Sequence, residues 1–534
     1  MVMAGLAWGY AGLSRRLANA PVDAWSTRDL VRCGLPFALV CLCRPDGPLW
    51  VATIALGLAL ATLRAGAAAT LRPVLAFAAL PVAAVLGQLA FRLAYYDDWV
   101  PNTAHVKAAL DLRALPAGLA YVRGALTATT GLLVLAGLGA ITLLWHRRHR
   151  TAALLTILPT LAWFGYLAVI GGDHFPGRRL AHGAIVPLAL LGAGGLRVLA
   201  RGPSWLLLAL ALGLTASAAD AWRARRDAQT AELQQEVWEW RGEAIGRVLR
   251  AAFADRQPLL AVDAAGALPF AANLPTLDLL GLCDRTIATT PPPEWLRTVR
   301  PGTPLPPGHL HGNGRYVMDR APDLMLFSSP PGLPLPVFVS AAEFESDPRF
   351  ADGYRCVRID CGPPPPRATS SEPLVAVLWV RLDGRVGITR TADRVAIPAW
   401  LFGSLALSEP LTRRYQVLPS DPAETARFYD RLNAVGAWLT DRSAVAVAAA
   451  DGHLQLELRS SAPATLRVPL PAGTWRPLVV PEGCPITLRS GGNAADDGLV
   501  VADDGPLELT LAPAPGAELP VRCDRIEWLR ATPR

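Results

Sequence analysis

The stretch LLVLAGLGAITLLWHRRHRTAALLTILPTLAWFGYLAVI, residues 132–170, decides the fold. Two apolar runs, each close to the roughly 20 residues a helix needs to cross a bilayer, flank the cations His146, Arg147, Arg148, His149 and Arg150. Such runs read as spanning helices, because in hydrocarbon a helix satisfies its own backbone polar groups. Working outward, spans are expected at 72–93, 120–145, 151–170, 181–199 and 203–221. Shorter candidates at 28–43 and 48–64 flank the break Arg44-Pro45-Asp46-Gly47. The expectation is a membrane domain of about seven spans over residues 1–222. No basic start or cleavage site marks residues 1–12 as a signal peptide.

At 534 residues the chain is too long for one core. Its mean hydropathy is +0.29, and the apolar excess lies almost entirely before Ala221. The net charge of +7 is read as cytoplasmic loops and contact with anionic lipid, so no nucleic-acid partner is expected. The positive-inside rule puts 146–150 in the cytoplasm. Alternation then leaves 44–47, 94–119 and 171–180 outside, with the N-terminus inside and the C-terminal region extracytoplasmic. Of the eight cysteines, Cys33, Cys41 and Cys43 lie in an apolar stretch. Cys283, Cys356, Cys361, Cys484 and Cys523 lie in the region where disulfides are allowed, with Cys356–Cys361 one possible pair.

The outer loops carry cations against the charge rule: Arg44, Arg92, Lys107, Arg178 and Arg179. These suit an anionic ligand such as a lipid phosphate, although snorkelling to head groups also places Arg there. RLAYYDDWVPNTAHVK, residues 92–107, leaves a span with interfacial aromatics. Its Asp97 and Asp98 could act as a base or hold a divalent metal, or be solvated loop acids. GGDHFPGRR, residues 171–179, gathers Asp173, His174, Arg178 and Arg179 at the mouth of two spans.

Those two loops and Arg44-Pro45-Asp46-Gly47 resemble the motif set of bacterial GT-C-fold membrane glycosyltransferases, the mycobacterial terminal β-(1→2)-arabinofuranosyltransferases and their relatives among them. The later pieces VDAAGALPF (262–270), LPTLDLLGLCDRTIA (274–288) and PPGHLHGNGRYVMDRAPDLMLF (306–327) resemble that family's post-membrane region. The resemblance covers about residues 35–330 in the same order. It implies a GT-C-like domain in a bacterial cytoplasmic membrane, moving a sugar from a polyprenyl-phosphate donor to a cell-envelope glycan acceptor. It assigns donor or substrate contacts to Arg44, Asp46, Arg92, Tyr95, Tyr96, Asn102, Lys107, His174, Arg178 and Arg179. A carboxylate base is required, and Asp173, Asp97 and Asp98 are the candidates. Family members carry an Asp-Asp pair in a first outer loop after an additional span. Residues 1–16 contain no Asp, so the chain is expected to start after that region. Asp97-Asp98 stands where the family usually has Tyr-Gly.

Beyond the membrane domain, 223–250 reads as an exposed helix and 223–361 as an extracytoplasmic α/β domain. Asp263 and Asp278 end apolar runs, where acids can line a cleft, although solvated turn acids are the more frequent case. His309 and His311 lack a carboxylate at metal-site spacing. A stiff Pro-rich run near 361–373 precedes 374–534. There, short alternating runs suggest a β-sandwich-like region, interrupted by a helix near 421–440. A noncatalytic envelope protein that binds glycan or scaffolds an assembly is the alternative to the enzyme. A transporter would need broken helices or polar residues mid-span, which these runs do not show.

Overall fold

The structure, a computed structural model, describes residues 1–63, 66–107, 114–173, 175–200, 202–235, 238–293, 309–334, 338–344, 347–364, 371–402, 444–448, 452–468, 470–490, 493–494, 500–502 and 507–531. The helix expected near 421–440 lies outside the described residues. Two compact units divide the chain: Met1–Pro101 with Ala108–Glu236, and Asn102–Lys107 with Val237–Arg534.

The first unit is helical: α1 (Val2–Asn19), α2 (Thr27–Cys43), α3 (Gly47–Thr62), α4 (Ala67–Tyr96), then α6 (Leu115–Ala128), α7 (Thr130–Trp145), α8 (Arg150–Val169), α9 (Ile185–Leu199), α10 (Pro203–Arg226) and α11 (Ala228–Gln235), with α5 (Asn102–Lys107) grouped in the second unit. Among the described residues, four helical segments are long and apolar enough to span a membrane: Ala67–Tyr96, Arg147–Val169, Arg179–Leu199 and Pro203–Arg226. The pair α6–α7 makes a fifth if counted as one span, and Gly47–Thr62 is a shorter apolar helix.

The expected continuous helix over 120–145 is corrected: the chain bends by 87° between α6 and α7. At the break, Thr129 N–H returns to the Ala125 carbonyl, and Asp220 of α10 accepts the N–H groups of Gly131 and Leu132 at 2.8 Å each. A helix start that would leave donors unsatisfied in hydrocarbon is thus capped by a distant carboxylate. The sequence missed α1, which buries Leu6, Tyr10 and Leu13 and sets Tyr10 edge-on to Phe37 at 6.1 Å.

Small residues set the helix crossings. A Cβ at Gly139 would lie 1.9 Å from the Leu191 carbonyl oxygen, and one at Gly195 2.2 Å from Gly139 Cα, so α7 and α9 touch backbone to backbone. Without a hydrophobic force between helices in lipid, such close packing holds them together. Helices α2 and α4 run parallel. Arg72 donates to the carbonyls of Asp23 and Trp25, and Gly34 abuts Phe77 and Pro81 further along. Arg44, which caps α2, and Arg92, on the last turns of α4, therefore lie toward the same end.

The second unit holds α12 (Trp238–Phe253), α13 (Ala267–Ala272), α14 (Arg285–Thr289), α15 (Gly314–Arg320), α16 (Val339–Phe344) and α17 (Pro348–Gly353). Its strands are β1 (Leu260–Val262), β2 (Thr276–Asp278), β3 (Leu324–Leu326), β4 (Tyr354–Asp360), β5 (Val375–Arg381), β6 (Thr389–Arg390), β7 (Arg394–Pro398), β8 (Ala444–Ala448), β9 (Leu454–Leu458), β10 (Ala464–Val468), β11 (Gly473–Val480), β12 (Ile486–Ser490), β13 (Asn493–Ala494), β14 (Val500–Ala502), β15 (Leu507–Pro513), β16 (Val521–Cys523) and β17 (Arg525–Arg530). They form sheets of eight, four and five strands, ordered β16-β9-β8-β4-β5-β3-β1-β2, β10-β15-β12-β13 and β14-β11-β17-β7-β6.

The large sheet takes strands from both sides of the Pro-rich run, since β4 and β5 pair antiparallel from Tyr354↔Arg381 to Asp360↔Val375. One hydrophobic core includes α12, one face of this sheet and residues of both smaller sheets, among them Trp475, Leu511 and Trp528. A second core, with Phe327, Phe344, Phe350 and Trp379, includes α15, α16 and strand residues of the large sheet. Helix α12 is not exposed all round, as 223–250 was expected to be: it buries Ile245, Leu249 and Phe253.

Candidate functional site

The break after α2 folds into a tight turn in which Gly47 N–H returns to the Arg44 carbonyl, and Pro48 starts α3 with its ring preset for a helix. The turn brings Arg44 and Asp46 into a fork: Nε donates to Oδ1 at 2.8 Å and Nη2 to Oδ2 at 2.6 Å. Bidentate pairing of this kind is among the strongest charge-assisted contacts.

The loop after α8 uses Gly171, Gly172 and Gly177 at positive φ, a region that costs glycine little. There Arg179 Nε donates to Asp173 Oδ2 at 2.6 Å, and its guanidinium lies 4.2 Å over the Phe175 ring. Arg178, itself left-handed at φ 49, reaches beyond the end of α10 and donates to both carboxylate oxygens of Asp227, at 2.7 and 3.2 Å. Tyr121 packs on Gly172, and its hydroxyl accepts the Leu180 N–H at 3.2 Å.

These pieces converge. Tyr121 of α6 packs on the Gly172 loop while Arg178 lies against Gly124 of the same helix, and Trp50, just after the Arg44 turn, packs on Trp163, which in turn packs on Tyr166 near the end of α8. Three cations, three carboxylates and two phenols thus meet where α2, α8 and α10 finish. Asp46 and Asp173 are each 8% exposed, whereas Arg179 is 55% exposed. The carboxylates are held inward and the guanidinium faces out. Asp227, Tyr121 and Tyr166 were not named from the sequence. Asp227 carried a signal, as the first acid after the Arg-rich end of α10.

The other sequence candidates, His174 aside, lie on α4 and on the segment that follows it. Tyr95 and Tyr96 are exposed and pack edge-to-face at 4.7 Å, with Phe91 stacked on Tyr95. Asp97 caps α4 in a left-handed conformation, and Asp98 accepts the Val100 N–H. Arg92 lies on the last turns of the same helix. Asn102 and Lys107 bound α5, which belongs to the second unit. His174 lies outside the described residues. Among the described residues, no group of three or more His, Cys, Asp or Glu is placed to hold a metal.

The second unit has a locus of its own. Strands β2 and β3 flank β1, all parallel, and the carboxyl ends bring Asp263 and Asp278 together. The expectation of solvated turn acids is corrected: they are 4% and 2% exposed. Asp263 Oδ2 accepts the Ser328 N–H, while Oδ1 is buried and unpaired. Burial pushes the Asp263 carboxyl up to about 7, with Asp278 adding to the rise and Ser328 opposing it. Asp278 is also raised by burial, against the backbone N–H groups of Cys283 and Leu280. The chain leaves β1 for β2 on one side and returns to β3 on the other. Open α/β sheets place ligands at such a switch point.

Residues 225–370, which include this locus and less than half of the chain, match the family model described as a domain of unknown function (DUF8728). Comparison with curated proteins and with solved structures gives no match.

Proposed function

We propose that the chain is a membrane glycosyltransferase of the GT-C type, moving a sugar from a polyprenyl-phosphate donor to a cell-envelope glycan on the outer face of a bacterial cytoplasmic membrane. The observation that carries the reading is the convergence of Arg44–Asp46, Asp173–Arg179 and Arg178–Asp227 at one end of the helical unit. A polyprenyl phosphate needs cations at the membrane surface, which Arg178, Arg179 and Arg44 supply, with Arg92 at the same end. The acceptor hydroxyl needs a base, and Asp173, paired with Arg179 at 2.6 Å, suits it; Asp97 and Asp98 are the other candidates. Lys107, Asn102, Tyr95, Tyr96 and His174 remain substrate contacts only by resemblance. A full count of seven spans requires Thr27–Cys43 and Gly47–Thr62 to cross as well. The two smaller sheets then form a sandwich-like module outside the membrane.

A noncatalytic envelope protein is the second reading, favoured by the same ion pairs: each arginine is already matched to a carboxylate of its own chain. The deciding experiment reconstitutes the full chain in vesicles with radiolabelled polyprenyl-phosphate sugars and envelope-glycan fragments. Transfer that disappears in folded Arg178→Ala and Asp173→Ala chains supports the enzyme. No transfer from any such donor, or undiminished transfer in both variants, overturns it.

A further inference from the structure

We propose that Cys484 and Cys523 form a disulfide in the native chain, tying the edge of the eight-stranded sheet to the turn that joins the other two sheets. The inference rests on the reading that the second unit lies outside the cytoplasm.

The backbone brings the two residues together from both sides. Cys484 sits between β11, of the five-stranded sheet, and β12, of the four-stranded sheet, in a turn whose N–H returns to the Pro481 carbonyl at 3.2 Å. Cys523 ends β16, the outermost strand of the large sheet. The Cys484 thiol donates to the carbonyl of Arg522 at 3.0 Å, and the Asp524 N–H donates to the carbonyl of Val480 at 2.8 Å. Cys523 is thereby held between two contacts to the same turn; in this structure both carry free thiols, and the Cys523 thiol donates to the Arg525 carbonyl at 3.6 Å.

The other cysteines of the second unit do not compete. Cys356 lies in one core and Cys361 against the other, because positions five apart on an extended strand face opposite ways. The sequence-expected pair is therefore excluded. Cys283 follows β2, at the far edge of the eight-stranded sheet from β16, across about 34 Å at the usual strand spacing.

The chemistry balances by exchange with a dithiol oxidase carrying a reactive disulfide. The more exposed Cys484 attacks as a thiolate, forming a mixed disulfide and releasing one oxidase thiolate. Cys523 then attacks the Cys484 sulfur and releases the second. Two protons leave the chain, and its two electrons reduce the oxidase disulfide to a dithiol. Burial raises both thiols, Cys523 to about 12, so neither is activated for other chemistry and an efficient oxidant is required.

The test uses the full chain, alkylated in intact cells before lysis, purified without reductant and mapped by mass spectrometry. A cross-linked Cys484–Cys523 peptide is expected, with Cys283, Cys356 and Cys361 labelled only as thiols. Cys484→Ser should free Cys523 without creating another pair, and reduction should lower the apparent Tm by about 5 °C. Free thiols in cells that join on diamide treatment of the purified chain would overturn the native cross-link through its compartment. Free thiols that still do not join, or pairing with any other cysteine, would overturn it through its geometry. Loss of transferase activity is not part of either outcome, so the two proposals fail separately.

Discussion

Asp220 and Gly131 meet across 89 positions of sequence, the carboxylate Oδ1 accepting the N–H at 2.8 Å. This single contact, doubled by Leu132, holds open the break between α6 and α7. Arg223 adds a 3.0 Å bond to the same carboxylate. Removing the acceptor leaves two half-buried donors unsatisfied, at a cost of about 1–3 kcal/mol. Asp220→Ala should therefore lower the apparent Tm in detergent by several degrees, and Asp220→Asn, which keeps one oxygen, by less. Equal stability of Asp220→Ala and the parent chain would show that the bend has another cause.

The crossing of α7 and α9 tolerates no side chain at Gly139, where a Cβ would lie 1.9 Å from a carbonyl oxygen. Gly139→Val should destabilise the helical unit by about 1–3 kcal/mol or more through overpacking. Limited proteolysis in detergent reads this as faster cleavage. Gly137→Val on the same helix, where nothing lies within 4 Å, is the control and should cleave at the parent rate.

Arg178 binds Asp227 through two parallel N–H···O contacts, which a lysine cannot reproduce. If the cluster serves transfer, Arg178→Lys should reduce kcat/KM by about 10-fold, a loss of about 1.4 kcal/mol. Asp173→Asn should remove the base, with a loss of about 100-fold or more. Kinetics with reconstituted chain separate the two: a base lost from the chemical step lowers kcat, whereas a weakened phosphate grip raises KM.

Asp263 makes stability depend on pH in a defined direction. Its folded pKa, near 7, lies above its unfolded value of about 3.9. Between these values the folded state holds the extra proton, so stability falls as pH rises from about 4 to 7 and levels off above. The full effect is at most about 4 kcal/mol. Asp263→Asn keeps an acceptor for Ser328 and removes the titration. Its unfolding midpoint should vary less with pH over that window than the parent's, and parallel pH profiles for the two chains would refute the assignment.

Much of the local structure was legible in the residues. The runs at 375–381, 444–448 and 454–458, rich in Val or Leu, are strands in the structure, because such apolar residues suit a buried sheet, as the five consecutive buried residues of β5 show. Strand β11 was missed, its Thr474, Arg476 and Pro477 masking the pattern of GTWRPLVV. The first helix was missed because it lacks an apolar run of spanning length, although one face of it is buried. At the candidate site, loop composition revealed that Arg and Asp gather. It did not reveal that Arg178 chooses Asp227 and Arg179 chooses Asp173.

The sequence by itself determined that the chain has apolar helices long enough for a bilayer, since hydrocarbon leaves a backbone few ways to satisfy its polar groups. It likewise determined that strands follow and where the glycine turns lie, because those depend on neighbours within a few residues. Only the tertiary structure decided the bend at Thr129, the burial of Asp263 and Asp278, the continuity of one sheet across the Pro-rich run, and which cysteine meets which. Each of these depends on a contact between residues far apart in the chain, and local pattern carries no information about such partners.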